Sequence, residues 1–280
     1  LLSDIEGFRV SGLVFSTLIN NGFGMRLPFV ISIPHCSKLI PAEIRPAIAL
    51  EEEQILDCTD RGTREIFSQF PVRTILWARW SRLVVDLNRS HLQRDSTGVV
   101  PEVDYFQRRI YKEGFTPNDE EVRRRLRRYY WPYHDRLKEA LQDKEIKVLF
   151  DCHSLSRIGP PGAPDRLQWR KDIVLGNNGD AKGGREDSRG TITCAPDTLL
   201  MMKNVLEELS FSVCINHPYA GGFITTHYGE ELFSKGKMAV QIEINQSLYM
   251  DHTNPGLRMD MVSDVSRRLV QALREIARRL

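Results

Sequence analysis

The sequence predicts an α/β fold in which helices flank a mixed, largely parallel sheet. Three observations carry this: short, often β-branched apolar runs recur along the chain, amphipathic helical stretches alternate with them, and two of the runs lead into a histidine. Strands are expected over residues 29–33, 74–77, 83–87, 147–150, 212–215 and 239–244. Helices are expected over 42–50, 61–70, 118–141, 197–209 and 259–280. Proline beside a capping residue marks two helix starts, at Thr116-Pro117-Asn118-Asp119 and Ala195-Pro196-Asp197. The stretch 158–191 is rich in Gly, Pro, Asp and Asn. It reads as a long loop excursion around the short strand Ile173-Val174-Leu175, with 177–189 expected to be mobile.

At 280 residues, without internal repeats or a low-complexity linker, the chain is expected to form a single domain over 1–280. Lys and Arg number 39 against 37 Asp and Glu, so net charge makes no case for nucleic acid or a membrane surface. No run is long and apolar enough to span a bilayer. Asp4, Glu6 and Arg9 interrupt the opening stretch where a signal peptide would be apolar, so a soluble, cytoplasmic protein is expected. The five cysteines lack CxxC spacing and read as free thiols of a reducing compartment.

Ile33-Pro34-His35-Cys36-Ser37 and Phe150-Asp151-Cys152-His153-Ser154 each place a histidine at a strand end. A lone histidine there is more often structural, but two side by side are how a Zn²⁺ site is assembled. In Val240-Gln241-Ile242-Glu243-Ile244-Asn245 the two-residue period puts Gln241, Glu243 and Asn245 on one face. That face either lies at a wet sheet edge or lines a cleft where Glu243 is a general base. Arg89, ending Leu83-Val84-Val85-Asp86-Leu87-Asn88-Arg89, is a candidate anchor for an anion or else a surface ion pair. The segment 216–229 concentrates glycines, hydroxyls and histidines, as a ligand-binding loop or an aromatic hairpin would. The arginine-rich 123–134 stretch is better explained as a solvated helix face than as a single-strand nucleic-acid site, with Tyr133 and His134 set apart by Pro132.

Taken in order, these segments resemble the N-formylglutamate amidohydrolase family, whose fold is akin to that of zinc carboxypeptidases and aspartoacylases. The resemblance rests on Ile33-Pro34-His35, the 81–89 segment, Pro132-Tyr133-His134, Asp151-Cys152-His153-Ser154, Leu175-Gly176, Gly221-Gly222-Phe223-Ile224-Thr225, His227-Tyr228-Gly229, Gln241-Ile242-Glu243 and Leu248-Tyr249-Met250. It implies that His35 and His153 bind zinc. Lys38 stands where the carboxypeptidase pattern has an acid, so the resemblance carries the third ligand to Asp60, with Asp57 in reserve; capping of the next helix is the plainer role for Asp60. By the same resemblance Glu243 is the base that takes a proton from zinc-activated water. Asn88 and Arg89 hold the substrate carboxylate with Arg82 nearby, and His134, Tyr219, Gly222, Thr225 and His227 complete the substrate site. The departure of Cys36 and Ser37 from the family's small residues bears on the substrate. The implied substrate is an N-acyl acidic amino acid such as N-formyl-L-glutamate. A metallopeptidase or peptidoglycan amidase of the same fold is the nearest alternative, and a catalytically silent binding protein is the alternative of another class.

Overall fold

A computed structural model describes residues 26–251 and 256–280, so the opening stretch weighed above as a signal peptide lies outside the described residues. Six strands form one sheet: β1 (Leu27–Ile33), β2 (Val72–Trp77), β3 (Val148–Leu155), β4 (Ile173–Gly176), β5 (Val213–Ile215) and β6 (Met238–Asn245), in the order β2-β1-β3-β6-β4-β5. The pairs β1/β2, β1/β3, β3/β6 and β4/β5 are parallel, and β4 runs antiparallel to β6. The expected mixed, largely parallel sheet is what forms.

Alternation along the three central strands separates two cores. Ile31, Ile33, Phe150, Cys152, Val240, Ile242 and Ile244 pack on one face beneath α2 (Thr63–Phe67), α5 (Pro196–Glu208) and α7 (Met259–Arg279). The amphipathic α7 supplies Val262, Val265, Leu269, Leu273 and Ile276 at helical spacing. On the other face Val30, Leu149 and Ala239 pack against α4 (Trp131–Leu141) and α6 (Phe223–Ser234). Two residues further along each strand that second face turns polar, at Ser32, Asp151 and Gln241, which pair across the sheet; His153 and Glu243 form the next row. Polar side chains thus collect at the carboxyl ends of the strands, where open α/β sheets place their clefts.

Four elements depart from expectation. Residues 83–87 are not a strand: they turn locally, with Val84 N–H donating to Ser81 O and Asp86 N–H to Val99 O, and their apolar character reflects burial in the second core. Residues 42–50 hold only a short 3₁₀ turn, Arg45–Ala47, because Pro46 breaks a longer helix. Glu51 and Gln54 form a capping box that starts α1 (Glu52–Asp57), which the apolar periodicity does not reveal. Residues 223–229 of the expected ligand loop open the helix α6, which runs on to Ser234 with its N-cap at Gly222.

The long helix expected over 118–141 forms with a wide turn in its middle. After α3 (Asp119–Arg125), Trp131 N–H donates to Leu126 O, making a π-helical turn over Leu126–Tyr130. Pro132 has no N–H for the ordinary ladder and sits just beyond it. The turn directs three side chains at the segment and strand below: Tyr130 Oη donates to Arg89 O (2.9 Å), His134 Nε2 lies 3.1 Å from Leu87 O, and Tyr133 Oη lies 2.9 Å from Ser32 Oγ. The arginine run is largely engaged within the fold: Arg124 and Arg125 pair with Glu121, Arg128 pairs with Glu43, and Arg125 is fully buried. The 177–189 stretch is also tied down, by Asn177 Nδ2 to Gly183 O and Cys194 O, Asn216 Nδ2 to Asp180 O, and Arg189 Nη1 to Gly179 O. Among the described residues no helix is long and apolar enough to cross a membrane.

Candidate metal centre

His35, two residues past the end of β1, and His153, inside β3, come together with their rings 4.8 Å apart. Asp60 is held beneath them because its backbone N–H donates to His35 O (2.9 Å). The N-cap of α2 is Gly62, and the Asp60 carboxylate turns to the imidazoles. Its Oδ2 lies 2.9 Å from His153 Nδ1 and 3.6 Å from His35 Nδ1. Asp57 is elsewhere, accepting from Arg108 Nη1 at 3.0 Å.

Each imidazole is backed by a second carboxylate. His35 Nε2 is 2.7 Å from Asp86 Oδ1, and Asp86 Oδ2 is gripped by Arg82 Nη2 (2.7 Å) and Nε (3.2 Å). Arg82 is thereby paired with Asp86 through Nε and Nη2. His153 Nε2 is 3.2 Å from Asp151 Oδ2, which also accepts from Asn88 Nδ2 (3.2 Å) and Thr225 Oγ1 (3.3 Å). Ser32 Oγ donates to the other Asp151 oxygen.

This arrangement suits a divalent cation. His35 Nδ1 is buried and has no hydrogen-bond partner, while its other nitrogen is fixed by Asp86, the pattern in which outer carboxylates orient ligating imidazoles. One ligand atom from each of His35, Asp60 and His153 lies within 4.8 Å of the others. The buried carboxylates of Asp60, Asp86 and Asp151 gather around two imidazoles and the Arg82 guanidinium, an excess of negative charge that a bound cation offsets. Burial opposes charge on Asp60 and Asp86. The imidazoles beside Asp60, and Arg82 with His35 beside Asp86, nevertheless hold both carboxyls below the usual carboxylate range.

Glu243 stands in register with His153 on the neighbouring strand. Burial pushes its carboxyl up to about 7, with the charges of Asp60 and Asp151 adding to the effect. Gln241 Nε2 donates to Glu243 Oε1 (2.9 Å) and Gly222 N–H donates to Gln241 Oε1 (2.6 Å), so the start of α6 is tied to this carboxyl. A Cβ on Gly222 would fall 2.3 Å from Asn88 Nδ2, which requires glycine there. Asn88 is locked in place, its Oδ1 accepting from Ile224 N–H at 2.7 Å. Arg89 is half-buried, donates only to the carbonyls of Thr97 and Asn88, and has no carboxylate ion pair among the described residues.

The other expected substrate contacts divide. Tyr219 is half-buried on the segment leading to Gly222. Thr225 is fully buried against Asp151, and His227 is exposed, stacked on Phe223 at 4.7 Å. His134 is buried, with Nδ1 2.9 Å from Tyr228 Oη and Nε2 facing Leu87 O, so neither nitrogen is free for a ligand. Its Nε2 ties it to Leu87, two residues before Arg89. Burial lowers its pKa from 6.5 to about 3, with the charges of His227 and His91 acting in the same sense. Between those values the unfolded chain takes up a proton that the folded one refuses, so this group removes stability as pH falls, by up to ~1.4 kcal/mol per pH unit. Urea unfolding of His134→Gln at pH 7 and pH 4.5 should show a stability difference between the two pH values about 2 kcal/mol smaller than in the parent. An equal difference in both proteins would contradict the assignment.

Sequence reasoning gave Asp151 no role, although alternation puts it on the His153 face. Asp165 and Arg170, paired beside Tyr219, carried no signal.

A sheet with paired imidazoles and carboxylates at its carboxyl edge defines an α/β protein of hydrolase type. The chain belongs to the N-formylglutamate amidohydrolase family, whose sequence profile matches residues 27–250, and is thereby an amide-bond hydrolase. It is 30% identical over 264 residues to N-formylglutamate deformylase of Pseudomonas putida, covering 89% of this chain and 92% of the relative. It is also 30% identical over 263 residues to the enzyme of the same name from Pseudomonas aeruginosa, with the same coverage. The fold is similar to that of N-formylglutamate amidohydrolase from Ralstonia eutropha JMP134 (TM-score 0.74, 23% identity, 94% of this chain and 97% of that one). A structure from Agrobacterium tumefaciens is also similar (TM-score 0.64, 19% identity, 89% and 90%).

Proposed function

We propose that the chain hydrolyses the amide of an N-acyl acidic amino acid, N-formyl-L-glutamate foremost, with a divalent metal ion held by His35, Asp60 and His153. The observation that carries this reading is the buried cluster of these three residues with an unpartnered His35 Nδ1. The names of the curated relatives point to the substrate. Two nitrogens and a carboxylate oxygen suit zinc among several ions. When bound, such an ion supplies Lewis acidity, polarising a carbonyl oxygen and acidifying water.

The chain's own residues do the rest. Glu243, whose carboxyl burial raises to about 7, takes the proton of the attacking water and returns it to the leaving amine. Arg89 takes the substrate carboxylate with its planar fork, and Asn88, held by Ile224 and Asp151, fixes where that fork projects. The test is a hydrolysis screen of N-formyl, N-acetyl and peptidyl substrates with metal restored to chelated protein. Release of formate from N-formyl-L-glutamate supports the reading, and turnover of peptides alone moves it to a metallopeptidase. In the same assay Arg89→Gln should raise KM by roughly 10- to 100-fold, the loss of a charge-assisted pair, at unchanged metal content. An unchanged KM would remove Arg89 from the binding site.

A further inference from the structure

The excursion after β3 carries a buried ion pair that the reaction scheme above does not use. Arg170 donates from Nε to Asp165 Oδ2 (2.6 Å) and from Nη2 to Asp165 Oδ1 (2.7 Å), and both side chains are only 2% exposed. The backbone is shaped for this clasp. Residues Ile158 and Trp169 bridge across the excursion, and a Cβ on Gly159 would fall 2.1 Å from Asp165 O, so only glycine allows the approach. The pair is fixed to the sheet as well: Asn245, two residues past Glu243 on the same face of β6, donates from Nδ2 to Arg170 O (3.1 Å) and Lys171 O (3.2 Å).

Beyond this clasp Arg170 donates from Nη1 to Ser156 O (3.4 Å) and Oγ (3.3 Å), and a further contact reaches across the chain. Its Nη2 also donates to Tyr219 Oη at 3.2 Å, and the guanidinium lies over the Tyr219 ring, 5.4 Å from its centroid. Tyr219 begins the short segment that ends at Gly222, whose N–H holds Gln241 against Glu243. The tyrosine and the arginine therefore stand at the Glu243 end of the site, approached from two separate loops. The Tyr219 oxygen accepts from Arg170, and its hydroxyl meets Tyr105 Oη, an exposed side chain, at 2.5 Å; a substrate acceptor would take the Tyr219 proton in place of Tyr105. Burial raises the Tyr219 pKa above its ordinary value, so the phenol keeps that proton.

We propose that Arg170, clasped by Asp165, is a positioning residue that holds the Tyr219 phenol as a hydrogen-bond donor to the substrate at the Glu243 end of the site. The inference rests on the amidohydrolase reading above. Tyr219 is the group that touches substrate, and Arg170 acts only through it. A buried arginine that merely braces the excursion would have the same contacts with Asp165 but no energetic coupling to Tyr219.

A double-mutant cycle separates the two. With metal-loaded protein and N-formyl-L-glutamate, Tyr219→Phe should lower kcat/KM by roughly 10- to 100-fold, the scale of one lost donor. Arg170→Gln should lower it about 10-fold in the parent and less than about 2-fold in the Tyr219→Phe background. The same non-additivity is expected, without turnover, in calorimetric binding of N-formyl-L-glutamate to the chelated protein. Arg170→Lys, which keeps the charge and loses the fork, takes the place of Arg170→Gln in both cycles if the latter does not fold. Additive losses, or an unaffected Tyr219→Phe, overturn the inference while leaving the functional reading intact. A parent protein that neither binds nor hydrolyses N-formyl-L-glutamate overturns both.

Discussion

Replacing His153 with alanine is expected to leave the purified protein without its metal and to lower kcat/KM by about three orders of magnitude or more. Two separate losses combine. One of three ligand atoms goes, and the remaining two, from His35 and Asp60, do not fill a site for a divalent transition ion. The imidazole also stands between the buried carboxylates of Asp60 and Asp151, 2.9 and 3.2 Å from its two nitrogens. Burial alone would keep that ring neutral, yet the two carboxylates hold its pKa well above the ordinary value. Its removal leaves two carboxylates facing each other, a change that costs about 3–5 kcal/mol in comparable buried pairs. His153→Gln keeps one donor toward a carboxylate and should therefore recover part of the stability and none of the tight metal binding. Elemental analysis of dialysed protein, with urea unfolding of both variants, checks the pair of expectations. A His153→Ala protein that retains stoichiometric metal and parental turnover would refute the proposed centre.

How much of this was legible in the sequence depends on whether a signal is local. The strand cores are short, β-branched and buried through their length, so β1, β3 and β6 read directly, and alternation alone put Glu243 on a polar face. His35 and His153 are visible because an apolar run leads into each, although β3 continues two residues past His153. Asp60 is different: it reaches the imidazoles through a backbone contact with His35 O, and only the ordered resemblance to a family pointed to it. Residues 83–87 misled because an apolar run reports burial, and burial here is in a turn packed under α4 rather than in a sheet. Gly221 and Gly222 read as a loop, yet the second caps a helix whose next residues lock Asn88. Arg170, Asp165 and Tyr219 meet through contacts spanning up to 49 residues of chain, which no periodicity encodes. Partners brought together by loops are set by tertiary packing, and the sequence carries them only as unremarkable polar residues.

Changing Glu243 to glutamine should separate catalysis from stability in opposite directions. Glutamine keeps the shape and can still accept from Gln241 Nε2, so the strand and the start of α6 stay in place. What it cannot do is take a proton, and the loss of a positioned base is expected to lower kcat by roughly 10²- to 10⁴-fold with metal content unchanged and KM altered little. The stability effect follows from the raised pKa. In the folded, metal-free protein the carboxyl titrates at about 7 against an ordinary 4.5, because burial disfavours its charged form. Between those values the folded state binds the proton and the unfolded state releases it, so stability from this group is present below about pH 4.5 and is lost as pH rises through about 7. Above pH 7 the parent carries a cost of about 2–3 kcal/mol for an ionised carboxylate held in that place. The neutral amide carries none of it, so the chelated Glu243→Gln protein should unfold at higher urea concentration than the parent at pH 8 and at nearly the same concentration at pH 4.5. A residue kept only for packing would lose stability on substitution at both pH values and leave kcat within a few-fold of the parent. A catalytic base kept at the expense of the fold does the reverse, the exchange of stability for activity that buried functional carboxyls make.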